Sequence, residues 1–218
     1  SYLLKRYVFH ESGTLVSGII GGLYSSTATI SVLARKSRKA SEQEATEYVA
    51  AMLLAVSMMF LRFMILILIF SREIFLSIYP YLLIMSVVSA IVGWFVHSRQ
   101  KLPKDTSVES EEDDSSNPLE FKVALIFAVL FVVFTVLTHY TLVYAGTSGL
   151  NLLSFVSGFS DITPFILNLL QNTGSVAVLI ITACSMQAIV SNILVNMFYA
   201  LFFAGKRSKL RPWILGGF

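Results

Sequence analysis

Four stretches of this chain stay apolar for at least as long as a bilayer's hydrocarbon core requires: Tyr48 to Phe70, Ile74 to His97, Leu119 to Ala145 and Ser175 to Phe203. A helix needs roughly 20 predominantly apolar residues to cross that core. Lipid cannot satisfy free backbone groups, so helix is the form such segments take. Composition agrees: 13% of the residues are charged, where a soluble domain has about a quarter, and the mean hydropathy is +0.75. The chain reads as an all-α polytopic membrane protein, a transmembrane helix bundle in contact with the lipid bilayer.

The rest of the chain sets the organisation. A first region over residues 1–98 and a second over 119–218 flank a polar segment, 99–118, whose run Glu109 to Ser116 reads as a solvated loop rather than a metal site. Cys184 is the chain's one cysteine, so no internal disulfide forms. Ser1-Tyr2-Leu3-Leu4 lacks a charged leader, which predicts no signal peptide and a start partway along a longer polypeptide; Trp213-Ile214-Leu215 is expected to open a further span.

Two more segments, Ser12 to Ala34 and Ser148 to Asn172, are long enough to span yet interrupted. Gly18, Gly21 and Gly22 are the expected break in the first. Ser157-Gly158-Phe159-Ser160-Asp161 followed by Pro164 is the expected break in the second. Each reads as two short helices that cross the membrane or turn back halfway. Charge placement arbitrates. If both cross, the side holding Arg35, Lys36, Arg38 and Lys39 has eight Lys/Arg and the other seven. If both turn back, the partition becomes fourteen to one; if only the first crosses, twelve to three. Cytoplasmic loops carry the excess Lys/Arg, which favours two re-entrant segments with the basic loops cytoplasmic. Aligning Gly22 with Gly158 also pairs Thr27 with Thr163, Ile30 with Ile166 and Leu33 with Leu169. With both segments re-entrant from opposite faces, this is an inverted repeat, an arrangement that puts a substrate site at the midplane.

Several blocks occur in a familiar order: GGLYSSTATISVLARKSR from Gly21, Met59-Phe-Leu-Arg62, NPLEFKVALIF from Asn117, GFSDIT from Gly158 and SNILVN from Ser191. The chain resembles the membrane domain of unknown function, number four-thousand-ten, found C-terminal to MgtC/SapB-type domains. The resemblance implies a multi-pass protein of the prokaryotic inner membrane with a link to ion handling. Family members tend to carry a second acid where this chain has Thr163 and a lysine where it has Asn196. If those charges serve an ion, this member has lost part of that role.

The candidate site residues are the polar groups set deep in these segments. Arg62 lies about 4.5 Å, three residues of helical rise, from the centre of its span. A charge so deep is a functional candidate by default, and its structural alternative is bonding to carbonyls freed at a helix break. Asp161 either caps the helix opening near Pro164, or coordinates a cation, metal included, or pairs with Arg62. Ser25, Ser26 and Thr27 follow the first break, so their helix starts inside the membrane with its amides toward the midplane. The plainer role of the small residues there is tight packing, as the Gly18-x-x-x-Gly22 spacing allows. Asn192 and Asn196 share a helix face and suit interhelical hydrogen bonds or pore lining.

These residues point to translocation of a small ion or polar solute through a midplane site. Asp161 and the resemblance slightly favour a cation, a divalent metal included; Arg62 and the hydroxyl-rich helix start favour an anion. The rival reading is a regulatory or interaction subunit that transports nothing, and a homo-oligomer fits either. No nucleotide loop, zinc motif or nucleophile elbow is present in the sequence, so no enzyme, cofactor or nucleic-acid partner is expected.

Overall fold

The computed structural model describes residues 13–98, 118–171 and 176–203. Their regular structure is six helices: α1 (Thr14–Lys39), α2 (Glu42–Phe70), α3 (Arg72–Ser98), α4 (Pro118–Ser157), α5 (Thr163–Gln171) and α6 (Val178–Phe203). All except α5 are long and apolar enough to cross a membrane. The chain is a multi-pass helical membrane protein, as its apolar runs predict. At nine residues, α5 reaches about 14 Å, half of the roughly 30 Å hydrocarbon core. The acidic run Glu109 to Ser116 and the stretch Trp213 to Leu215 lie outside the described residues.

Two of the long helices are bent. In α1 the interruption is Ser25, whose φ of −155° and ψ of 102° are extended; the glycines expected to break the helix stay helical. Residues eight apart sit about 12 Å apart along a straight helix. Yet a Cβ added at Gly21 would lie 2.5 Å from Thr29 Oγ1, so the arms 14–24 and 26–39 fold toward one another about Ser25. In α4 the interruption is Gly146, at φ 56° and ψ −145°, a backbone region open to glycine and closed to residues with a Cβ. A Cβ at Gly149 would lie 2.7 Å from Thr141 Cγ2, again eight residues away. The arm 147–157 then ends in successive i to i+3 turns: Gly158 N to Phe155 O, Phe159 N to Val156 O and Ser160 N to Ser157 O. This break falls where the sequence places it.

The chain divides into two compact units. The first comprises Ser1–Ile65, Tyr79–Ser110 and Asn196–Phe218. Within it α1 docks on α2 through glycines: a Cβ at Gly18 would run into the Ala51 backbone, and one at Gly22 would sit 2.5 Å from Ala55 Cα. Backbones this close gain dispersion contact where lipid supplies no hydrophobic drive. The α2–α3 pair is tied by serines. Ser57 Oγ donates to Ser86 O at 2.9 Å, Ser86 Oγ to Ser57 O at 3.1 Å, and Ser89 Oγ to Leu53 O at 2.9 Å. The start of α2 is a capping box, with Ser41 N donating to Glu44 Oε2 at 2.7 Å and Glu44 N to Ser41 Oγ at 3.3 Å.

The second unit comprises Leu66–Ile78 and Glu111–Val195. Here α5 packs back on α4, with the Phe134 and Phe165 rings 5.6 Å apart and Asn168 Nδ2 donating to Thr135 Oγ1 at 2.8 Å. Its glycine contact is Gly158, where a Cβ would collide with the Ser191 side chain and lie 2.8 Å from Asn192 N on α6. Cys184 Sγ, buried, faces Asn151 Oδ1 at 3.5 Å.

Candidate functional site: two clamped helix breaks

Breaking a helix frees carbonyls at the end of one arm and amides at the start of the next. In the first unit, Ser25 Oγ accepts from Ala28 N at 3.4 Å, a long N-cap for the arm 26–39. On the other side of the break, Arg62 on α2 donates Nη1 to Tyr24 O at 2.8 Å and reaches Leu23 O at 3.5 Å. Its guanidinium carbon sits 5.1 Å from the centre of the Phe63 ring. A cation is thereby held at the negative end of the arm 14–24, where the dipole favours it. The structural role weighed for Arg62, bonding to carbonyls freed at a break, is the geometry observed.

Ser26 is buried and Ser25 and Thr27 are half-buried. Thr27 O accepts from Ser31 Oγ at 2.8 Å, one turn on. The break thus joins a fixed cation, a helix start within an apolar segment and three hydroxyl residues in a single unit. That combination is suited to holding an anion or the oxygen-rich face of a polar solute.

The second unit has its own clamped break. Asp161 Oδ1 accepts from Thr163 N at 3.0 Å and from Thr163 Oγ1 at 2.7 Å, capping α5 as the sequence allowed. The carbonyls before it are held from α6: Asn192 Nδ2 donates to Gly158 O at 3.0 Å and to Ser160 O at 3.3 Å. Ser191 Oγ donates to Phe155 O at 2.7 Å. Asn192 is 3% exposed, whereas Asp161 is open on the surface of the unit.

The structure therefore gathers Ser25, Ser26, Thr27 and Arg62 at one break and Asp161, Thr163 and Asn192 at another. Asn196 stands apart from both, fully buried, with Nδ2 4.0 Å from Met59 Sδ in the first unit. Sequence reasoning missed Ser191, whose hydroxyl looks like any small packing residue. It also missed the Thr135–Asn168 bond, whose partners are 33 residues apart. Among the described residues no three His, Cys, Asp or Glu side chains gather as metal ligands.

No solved structure matches the chain. A protein of Aquifex aeolicus (strain VF5), described as uncharacterized, is 26% identical over 205 residues, which cover 93% of this chain and 87% of that one. The match to a family model runs over residues 1–204 and carries the description "Domain of unknown function (DUF4010)". It concerns this domain and says nothing of an MgtC/SapB-type neighbour. With nearly its whole length matched, the chain belongs to the DUF4010 family.

Proposed function

We propose that the protein moves a small ion or polar solute across the membrane, and that the solute meets the protein at the Ser25 break. One observation carries the reading: a helix start flanked by hydroxyls, with Arg62 2.8 Å from the carbonyl just before it, in the middle of an otherwise apolar helix. A helix end and a cation are costly to keep in lipid without a polar occupant or water nearby. At this break the amide end of the arm 26–39 and the carbonyl end of the arm 14–24 oppose one another, so the Arg62 guanidinium leaves the balance positive, which favours an anion. Asp161, the residue that spoke for a cation, directs Oδ1 to its own cap.

The non-transporting reading gains less from the geometry. It needs the small-residue face of α1 as a docking surface for another protein, and Gly18 and Gly22 of that face are covered by α2 of the same unit. The fourteen-to-one partition of Lys and Arg supports α1 and the segment 147–171 entering and leaving by the same face. Flux into liposomes holding the purified protein tests the proposal, using chloride, nitrate, phosphate and sulfate beside sodium, potassium and magnesium. The expected result is uptake of one or more anions, reduced roughly tenfold or more in Ser26→Leu, whose side chain fills the helix start. Uptake of cations alone would reverse the sign of the proposal. No uptake of any of the seven ions would favour the regulatory reading.

A further inference from the structure

The two breaks obey one rule of spacing. A gap-free shift of 136 residues carries Gly22 onto Gly158, and the residue that each glycine packs against shifts with it. Gly22 meets Ala55 and Gly158 meets Ser191, in both cases 33 residues further on. The same shift carries one cap onto the other, since Ser25 caps Ala28 N and Asp161 caps Thr163 N. It also carries Ile30 and Leu33, both buried, onto the buried Ile166 and Leu169. Over 12–33 against 148–169, six of 22 residues are identical, among them the pair Ser12-Gly13 and Ser148-Gly149. A chance alignment does not reproduce tertiary contacts that lie outside the aligned stretch, as Ala55 and Ser191 do.

The shift also exposes a shared device. Tyr24 and Ser160 are equivalent positions, and the carbonyl of each takes a hydrogen bond from a side chain of the helix that follows: Arg62 Nη1 in the first unit, Asn192 Nδ2 in the second. The donors are not at equivalent positions. Asn192 corresponds to Val56, and Arg62 stands six residues beyond that, a distance that its longer side chain makes up.

We infer that each unit contains a copy of one module, helix–break–helix docked by a glycine on the next helix, and that Arg62 and Asn192 are the positioning residues that hold its break open at the same carbonyl. The module requires a donor at that carbonyl, and the two copies meet the requirement differently. The first supplies a cation from one height on its helix, the second a neutral amide from another. The charge at each break is then set by the choice of clamp and cap, Arg62 with Ser25 against Asn192 with Asp161. The position of the clamped carbonyl stays the same, although the first break is one extended residue and the second a run of turns over 158–162.

The test is a transplant. Val56 is buried, 1% exposed, and close to asparagine in size. If the modules are equivalent, an asparagine at 56 reaches Gly22 O and Tyr24 O as Asn192 reaches Gly158 O and Ser160 O. Hydrogen–deuterium exchange on the full chain in detergent reads each break separately, whatever the chain transports. Arg62→Met is expected to speed exchange of the amides at 26–29 about tenfold and leave those of Thr163, Phe165 and Ile166 unchanged. Asn192→Leu is expected to do the reverse. In Arg62→Met combined with Val56→Asn, exchange at 26–29 should return to within about threefold of the parent. If Arg62→Met does not fold, Arg62→Lys serves as the background, with a smaller loss and the same rescue. A role in general stability alone would move both breaks together in every variant, and that pattern overturns the inference. So does failure of Val56→Asn to restore protection, or failure of the transplanted chain to fold, because the buried amide would then have found no carbonyl.

Discussion

Gly22→Val and Gly158→Val are each expected to prevent stable folding. Gly22 sits in a helix interior, where glycine is weaker than alanine by about 0.5–1 kcal/mol, and Gly158 sits in the turn after α4, so each needs a reason. Here the reason is the partner backbone. A Cβ at Gly22 would lie 2.5 Å from Ala55 Cα and 2.6 Å from Ala55 O; one at Gly158 would lie 2.8 Å from Asn192 N. A flexible side chain could move aside, but a helix backbone can yield only by separating the helices. Extra atoms in a packed core cost about 1–3 kcal/mol where some relaxation is possible; separation also removes the hydrogen bonds that close each break. The loss should therefore lie at or above the top of that range, seen as absent folded protein in size-exclusion and thermal-unfolding measurements. Gly13→Ala is the control: a Cβ there meets nothing within 4 Å, so only a glycine N-cap is lost and the protein should fold with a loss of about 1 kcal/mol or less. Normal unfolding of either valine variant would contradict the docking geometry.

Arg62→Met should destabilise the chain by about 1.5–3 kcal/mol, the range for a hydrogen bond to a charged group. Methionine keeps much of the apolar stem and removes the donor, so Tyr24 O and Leu23 O lose the guanidinium they face. Water that reaches the break can solvate those carbonyls in part, which places the effect toward the lower end. Arg62→Lys keeps the cation with a single-point donor and should lose roughly half as much. The ordering parent, lysine, methionine in thermal unfolding is the expected result. Equal loss for lysine and methionine would show that planar guanidinium geometry matters more than charge, and no loss for methionine would remove Arg62 from the clamp.

How much of this was readable in the sequence follows from which interactions are local. The spans were legible because apolar length in lipid admits one solution. Their edges moved for identifiable reasons. Helix α2 begins at Glu42, six residues before the apolar run, because the Ser41–Glu44 capping box starts it in polar sequence. The span expected from Leu119 to Ala145 stops at the Gly146 bend, as placed, although the helix resumes beyond it.

The second break carries its own local markers, a glycine in the loop, an Asp cap and a proline in the first turn of α5, and it falls where they point. The first falls a few residues beyond the glycines that suggest it. Its glycines look like helix breakers and act as packing surfaces, while the bend falls at Ser25, a residue with no marked preference for it. What holds that bend is Arg62, 38 residues from Tyr24, and non-local partners leave no periodic trace in sequence. Arg62, Asp161 and Asn192 were singled out because polar groups are expensive in lipid. Which carbonyl each serves needed coordinates.

The Ser25 break should be a polar point, reached by water, inside an apolar helix bundle. Cysteine accessibility tests it most directly. In a Cys184→Ala background, Ser25→Cys is treated in liposomes with a charged, membrane-impermeant thiol reagent, beside Val88→Cys on the exposed apolar face of α3. The cysteine at 25 is expected to react from the aqueous phase, faster with the anionic reagent than with the cationic one, while the cysteine at 88 stays unmodified. A cysteine at 25 as inert as the one at 88, in protein that folds normally, would mean a dry and closed break, at which no solute could meet the protein.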